Sequence, residues 1–204
     1  MNPRMSTTAI PPGEPRAINQ VEIARRLASG SRSALRHTKL SLNEWMKAAG
    51  AEIVAMLNMD YFAFSGGGDT SAYGPTRCPF DSARTAAGSS GGSGAALWYD
   101  GVDMTLGCDQ GGSIRLPASA CGVVGMKATY GRVSRAGAVA RSWTLDHVGP
   151  LTRTVRDNAR LLAAIAGADI DDSTTSERPV PDYEAQLEGG VAGLRIGLSL
   201  PEAL

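Results

Sequence analysis

An α/β fold is predicted, on three features of the sequence. Val102, Met104, Leu106 and Cys108 alternate with small or polar residues, the period of a half-buried strand. That strand runs directly into a double-glycine loop, Asp109-Gln110-Gly111-Gly112-Ser113. Around it, helix-like and strand-like stretches alternate along the chain, the pattern of layered α/β domains.

Taken in order, Ile18 to Leu27 carries a helical stripe (Ile18, Val21, Leu27) stopped by Gly30. Asn43 to Ala49 reads as a second helix ending at Gly50, followed by a strand over Glu52–Leu57. Thr154 to Ala166 is the strongest helical segment. Thr154 and Asp157 resemble a capping box, Val155, Ala159, Leu162 and Ile165 share a face, and Gly167 closes the element. Asp169 to Asp182 is polar, contains Pro179 and Pro181, and reads as a surface connection. Leu194 to Leu198 starts a further strand, so the sequence is expected to be a truncated product.

Composition narrows the function classes. The 204 residues are 43% hydrophobic and 20% charged, ordinary for a globular chain with a substantial core. Twenty basic residues balance twenty acidic ones, which gives no electrostatic footprint for nucleic acid or an anionic membrane. Only Lys39, Lys47 and Lys127 are lysines. Cys78, Cys108 and Cys121 form neither a disulfide framework nor a zinc pattern, and read as buried small hydrophobes in a reducing compartment. No basic start and apolar core of a secretory signal open the sequence, and the apolar stretch Leu161–Ala168 is too short to span a bilayer. The expected address is cytoplasmic, with no membrane partner, no direct nucleic-acid partner and no metal or other cofactor.

Glycine is concentrated in Ser65–Gly74 and Gly88–Gly125, which directs attention to phosphate cradles and nucleophile turns. A P-loop needs a Gly-Lys-Ser/Thr ending, and no lysine is near. A dinucleotide fingerprint started at Gly92 puts Leu97 where glycine or alanine belongs. The Gly-x-Ser-x-Gly elbow has no frame in Gly88–Gly94, and only His37 and His147 could serve a Ser-His-Asp triad.

Four stretches together resemble the amidase signature family: AGSSGGSGAAL (Ala87–Leu97), GCDQGGSIRLPAS (Gly107–Ser119), CGVVGMKATYGRVSR (Cys121–Arg135) and LDHVGPLTRTVRD (Leu145–Asp157). The resemblance covers roughly Trp45 to Leu198, and its two serine motifs stand at the family's spacing of 24 residues, from Ser89 to Ser113. It implies a mixed sheet between helical layers, here as a partial copy, and a Ser–cisSer–Lys triad. Ser113 matches the nucleophile that forms an acyl-enzyme. Ser89 matches the bridging serine, placed after a cis peptide and within hydrogen-bond reach of Ser113. The backbone N–H groups of Gln110, Gly111, Gly112 and Ser113 match the oxyanion hole. Asp109 and Arg115 are expected to pair and hold the loop, while Ser90, Ser93 and His147 are expected to be structural. Trp98 and Tyr99 are expected in an aromatic core.

The sequence departs from the family upstream. The family's catalytic lysine would fall near Ile10–Gln20 (IPPGEPRAINQ), which has none, and Lys39 and Lys47 sit in no matching context. Residues 1–40 therefore read as a diverged or foreign segment, and 41–204 as a partial amidase signature domain. The expected reaction is cleavage of a small-molecule carboxamide to carboxylate and ammonia, with the missing lysine region leaving the chain's activity open. DQGGSIR with LDHVGP looks like free-standing amidases. YGRVSR and DDSTTSERPVPDYEAQLEG are similar to the A subunit of glutamyl-tRNA amidotransferase, and a non-catalytic remnant is the third reading. Assembly as a homo-oligomer is left open.

Overall fold

The computed structural model describes residues 55–195 and 197. The helices expected at Ile18–Leu27 and Asn43–Ala49 lie outside them, as do residues 52–54 of the strand expected at Glu52–Leu57. Ala55 to Leu57 belong to no strand, and neither do Leu194, Arg195 and Gly197 of the last expected one.

The alternating run forms strand β1 (Met104–Asp109), and β2 (Val124–Gly125) and β3 (His147–Thr152) complete a sheet of order β1-β3-β2. Both pairings are antiparallel, with Leu106 opposite Pro150 and Val124 opposite Thr152. The mixed sheet that the family resemblance implies is thus represented among the described residues by its antiparallel part. Pro150 explains why β2 is so short. It has no N–H to give, and the ladder beyond β2 is reduced to the Met126 N–H donating to Pro150 O at 3.1 Å.

Three helices cover the sheet: α1 (Gly91–Ala96), α2 (Arg115–Ala120) and α3 (Val155–Ile165). Alternation along β3 sends Val148 to one face and Leu151 to the other. Val148 packs with Leu161, Leu162 and Ile165 of α3, Leu106 of β1, and Ala128 and Val133. Leu151 packs with Leu97, which follows α1, and with Ile114 and Ala118 at α2. The sheet therefore lies between two helical layers, as expected.

Helix α3 starts where the sequence places it. Thr154 Oγ1 accepts from the Asp157 N–H at 3.1 Å, satisfying a donor of the first turn. Its buried face is rotated from the expected one: Val155 is 57% exposed, and Asn158 is buried beside Leu161, Leu162 and Ile165. The Asn158 amide is stable there because it donates to Val124 O, Pro150 O and Thr152 Oγ1, which joins α3 to β2 and β3. Helix α1 is a second departure, because a glycine–serine run is a poor helix former. All six of its residues are buried. A side chain at Gly92 would strike the backbone of Asn58, and one at Gly94 would lie 3.0 Å from Pro117 O, so close backbone packing outweighs poor helix propensity. Trp98 and Tyr99 are a third: both are exposed rather than core. Trp98 Nε1 donates to Cys121 O at 2.7 Å and its ring meets Phe80 edge-on.

Asp169–Asp182 forms no helix or regular strand, in keeping with a surface connection. Among the described residues no helix is long and apolar enough to cross a membrane.

These contacts set a contrast in stability. Thr154→Ala is expected to cost about 1 kcal/mol, the usual effect of removing an N-cap. Gly92→Ala should cost about 3 kcal/mol, because the clash is with backbone that cannot rotate away. Urea denaturation of both variants checks the ranking.

Candidate active site

The loop after β1 is organised by one carboxylate. Asp109 is fully buried, and its two oxygens accept from Gly112 N at 2.8 Å, Ile114 N at 3.1 Å and Arg115 N at 3.4 Å. Arg115 adds a two-pronged pair, Nε to Oδ2 at 3.0 Å and Nη2 to Oδ1 at 2.9 Å. Five donors on one carboxylate bend the chain from strand into α2 and present Ser113 at the bend. Gly112 has φ +137°, a conformation that side chains rarely adopt. The expected structural pairing of Asp109 with Arg115 is present.

Burial alone would raise the pKa of Asp109, but Arg115 and the N–H groups of Ile114 and Gly112 outweigh it. The carboxyl is held at about 2, below its ordinary value of 3.8.

The second segment enters at Gly88–Ser89, whose peptide bond is cis. Ser89 is fully buried. The next serines act on the outer edge of β1, the side away from β3. Ser90 Oγ donates to Cys108 O at 3.2 Å and accepts from Cys108 N at 3.1 Å, and Ser93 Oγ donates to Leu106 O at 2.8 Å. Among the described residues no strand pairs with this edge, and two hydroxyls bond to it instead. The structural role expected for Ser90 and Ser93 takes this form.

Ser89 and Ser113 are brought into one region but not into hydrogen-bond contact. Their segments are tied through the Ser90 N–H, which donates to Ser113 O at 3.1 Å. Ser89 Oγ faces Cys108 Sγ at 4.0 Å, and the Ser113 hydroxyl has no partner among the described residues. Of the four N–H groups expected to form an oxyanion hole, that of Gly112 is already committed to Asp109. Those of Gln110, Gly111 and Ser113 have no acceptor among the described residues.

Candidate proton acceptors are few. Burial pushes the Cys108 thiol up, against the hydrogen bonds of Ser89, Ser90 and Gln110, and the charge of Asp146 adds to the rise. Cys108 is half-buried and Cys121 fully buried, the latter pushed up to about 11 by burial and then by Cys78. Both are poor thiolates. Lys127 Nζ donates to Ala128 O at 3.1 Å and contacts His147 Nε2 at 3.3 Å, and touches neither serine. His147 Nδ1 lies 2.7 Å from Leu145 O, and since a carbonyl only accepts, the ring donates there. Lys39 and Lys47 lie outside the described residues. Among the described residues no cluster of His, Cys, Asp or Glu could hold a metal ion.

Asp60 is a site residue that sequence reading missed. It is buried, its Oδ2 accepts from Gly68 N at 2.9 Å, and its Oδ1 accepts from the N–H and hydroxyl of Thr70. Its own N–H donates to Ser89 O at 2.9 Å, and its carboxylate packs so close to Gly88 that no side chain fits there. Asn58-Met59-Asp60 lies in no periodic segment, so the sequence carries no signal of this contact beyond two polar residues ahead of the glycines.

The depressed Asp109 carboxyl makes a prediction about acid. Because the folded value lies below the unfolded one, its stabilisation is complete above about pH 4 and disappears as pH falls through about 2. Asp109→Asn is expected to lower stability at neutral pH and to flatten this acid limb. Denaturation midpoints measured from about pH 5 down to about pH 2 test it.

Comparison with known proteins agrees with this architecture. The Amidase family profile matches residues 39–202. The glutamyl-tRNA(Gln) amidotransferase A subunit of Roseiflexus sp. (strain RS-1) is 53% identical over 153 residues, 75% of this chain and 31% of that protein. The corresponding protein of Anaeromyxobacter sp. (strain K) is 56% identical over 155 residues, 76% of this chain and 32% of its own length. The crystal structure of the glutamyl-tRNA(Gln) amidotransferase A subunit from Thermotoga maritima superposes with a TM-score of 0.72 at 49% identity, covering 74% of this chain and 33% of that one. The chain spans about a third of the length of the curated relatives it matches. A profile matched over most of the sequence, together with that structural likeness, places this chain in the amidase family.

Proposed function

We propose that Ser113 is the nucleophile of an amide C–N hydrolase: it attacks a small-molecule carboxamide, ammonia leaves the tetrahedral intermediate as an acyl-enzyme forms, and water then cleaves that ester to the carboxylate. The observation that carries this reading is the Ser113 hydroxyl itself. It has no partner among the described residues, and the N–H groups of Gln110, Gly111 and Ser113 beside it lack acceptors. Such donors stabilise the oxyanion of a tetrahedral intermediate, at about 3–4 kcal/mol for each. Gly112, bonded to Asp109, holds the loop instead of donating. Ser89 is the proposed relay between Ser113 and a base, closing on Ser113 when substrate tightens the site. The base is a neutral lysine in the family's triad, and here it belongs outside residues 55–195, since Lys127 is engaged with Ala128 and His147. The three free cysteines suit a reducing, cytoplasmic compartment.

A second reading, within the same family, is a protein like the A subunit of glutamyl-tRNA amidotransferase. The identity of 53–56% to proteins of that name favours it. A partner polypeptide co-purifying with the chain in fixed ratio supports this reading, and its absence supports a free-standing amidase.

A fluorophosphonate probe followed by peptide mass spectrometry tests the nucleophile. Label is expected on Ser113 and absent in Ser113→Ala, whereas label elsewhere or none would favour a non-catalytic remnant. Benzamide-like and short aliphatic amides should be turned over by residues 1–204 at no more than the residual level seen in triad knockouts, about 10³–10⁴ over water. Fast turnover abolished by Ser113→Ala would instead assign the base to Lys39 or Lys47.

A further inference from the structure

Two of the three thiols meet at one peptide unit, Ala120–Cys121, which plays no part in the proposed chemistry. Residues 76–86 fold back on themselves. Ala86 N donates to Thr76 O at 2.8 Å, Arg77 and Thr85 form a bridge, and Cys78 N donates to Arg84 O at 3.0 Å. The two legs of this turn rest on consecutive residues at the end of α2. From one leg, the Cys78 thiol donates to Ala120 O at 3.4 Å. On the other, Ala86 O receives the Cys121 thiol at 3.9 Å. Phe80 holds the turn down: its ring meets Trp98 edge-on, and a Cβ at Gly122 would lie 3.2 Å from it.

The third thiol stands apart, since Cys108 lies on β1 with its Sγ 4.0 Å from Ser89 Oγ. The paired thiols differ in access. Cys78 is half-buried and Cys121 fully buried, so a small oxidant reaches Cys78 first. Burial lifts the Cys121 thiol to about 11, and the charge of Cys78 is the second cause. Cys121 is therefore unreactive by itself, and it has a neighbour whose ionisation it feels.

We infer that Cys78 is a site of oxidation by hydrogen peroxide and that Cys121 resolves it, closing a disulfide between the 76–86 turn and the end of α2. The Cys78 thiolate attacks a peroxide oxygen; an S–O bond forms as the O–O bond breaks, and the departing hydroxide takes a proton and leaves as water. The Cys121 thiol then gives up its proton, its sulfur attacks the Cys78 sulfur, and the S–OH oxygen departs as a second water. Two thiols are oxidised and one peroxide is reduced to two waters. The weak acidity of Cys121 makes the second step the slower one, and that step quickens as pH rises. The loop closed from 78 to 121 contains both Ser89 and Ser113, so the bond ties together the frame that carries both segments. In a reducing compartment such a bond is transient, which suits a redox response rather than a permanent staple.

The test treats fully reduced protein of residues 1–204 with one equivalent of hydrogen peroxide, caps the remaining thiols with N-ethylmaleimide and maps linkages by non-reducing peptide mass spectrometry. A linkage between Cys78 and Cys121 is expected to dominate, with Cys108 capped, and dithiothreitol should reverse it. It should form faster at about pH 8.5 than at about pH 6.5. In denaturing urea the preference for this pair should vanish. Cys78→Ser should abolish the linkage and leave Cys108 and Cys121 as thiols, whereas Cys121→Ser should leave a sulfenic acid on Cys78 that dimedone traps. The urea midpoint of the oxidised protein should rise above that of the reduced one, with no rise in Cys78→Ser. Linkages through Cys108 or between chains, a preference that persists in urea, or a midpoint unmoved by the bond would overturn the inference. So would a Cys78 that stays a thiol, or one that passes on to the sulfinic acid while Cys121 remains reduced.

Discussion

The buried Asp109 carboxylate is the constraint on which the rest depends. It ends β1, accepts from three backbone N–H groups of the following turn, and is clasped by the Arg115 fork. A carboxylate buried without such partners would be costly, so the turn and the charge stabilise each other. The outcome is a turn whose remaining N–H groups point elsewhere, and a serine whose hydroxyl is not drawn into the loop's own bonding. Asp109 supplies no step of the proposed chemistry. It makes the geometry in which a neighbouring hydroxyl and neighbouring amides stay unengaged.

A second carboxylate does comparable work from the opposite wall. Asp60 anchors the 60–70 loop and receives the Gly88–Ser89 segment against it, its N–H bonded to Ser89 O. The two acids lie far apart in sequence, yet between them they fix both serine segments. The Ser90 N–H to Ser113 O bond then sets one segment against the other. Backbone groups, more than side-chain packing, define the spacing of the site.

This explains what the sequence discloses. β1 is legible as a strand from its alternation, although its buried positions are Thr105 and Asp109 rather than the apolar Met104, Leu106 and Cys108. The start of α3 is legible because Thr154 and Asp157 are a local signal. The face of α3 is misread because Asn158, polar by type, is buried by three acceptors that come from other elements. Helix α1 is invisible to propensity, since Gly-Gly-Ser-Gly favours a loop until Asn58 and Pro117 close around it. The positions of Ser89 and Ser113 are legible through motif resemblance, and the Asp109–Arg115 pair through its spacing within the motif. Asp60 acts through contacts with distant segments, and nothing local marks it.

The composition of α1 has a mechanical consequence. A helix built from glycine, serine and alanine touches its neighbours mainly through its backbone and the strand-bonded hydroxyls of Ser93 and of Ser90 just before it. It has no long side chains that could change rotamer and absorb a small displacement. Movement of β1 is therefore passed to the Ser89 segment with little side-chain adjustment in between. Drift in that region of the sequence would be registered first as a shift in position of a reacting group, before any loss of core.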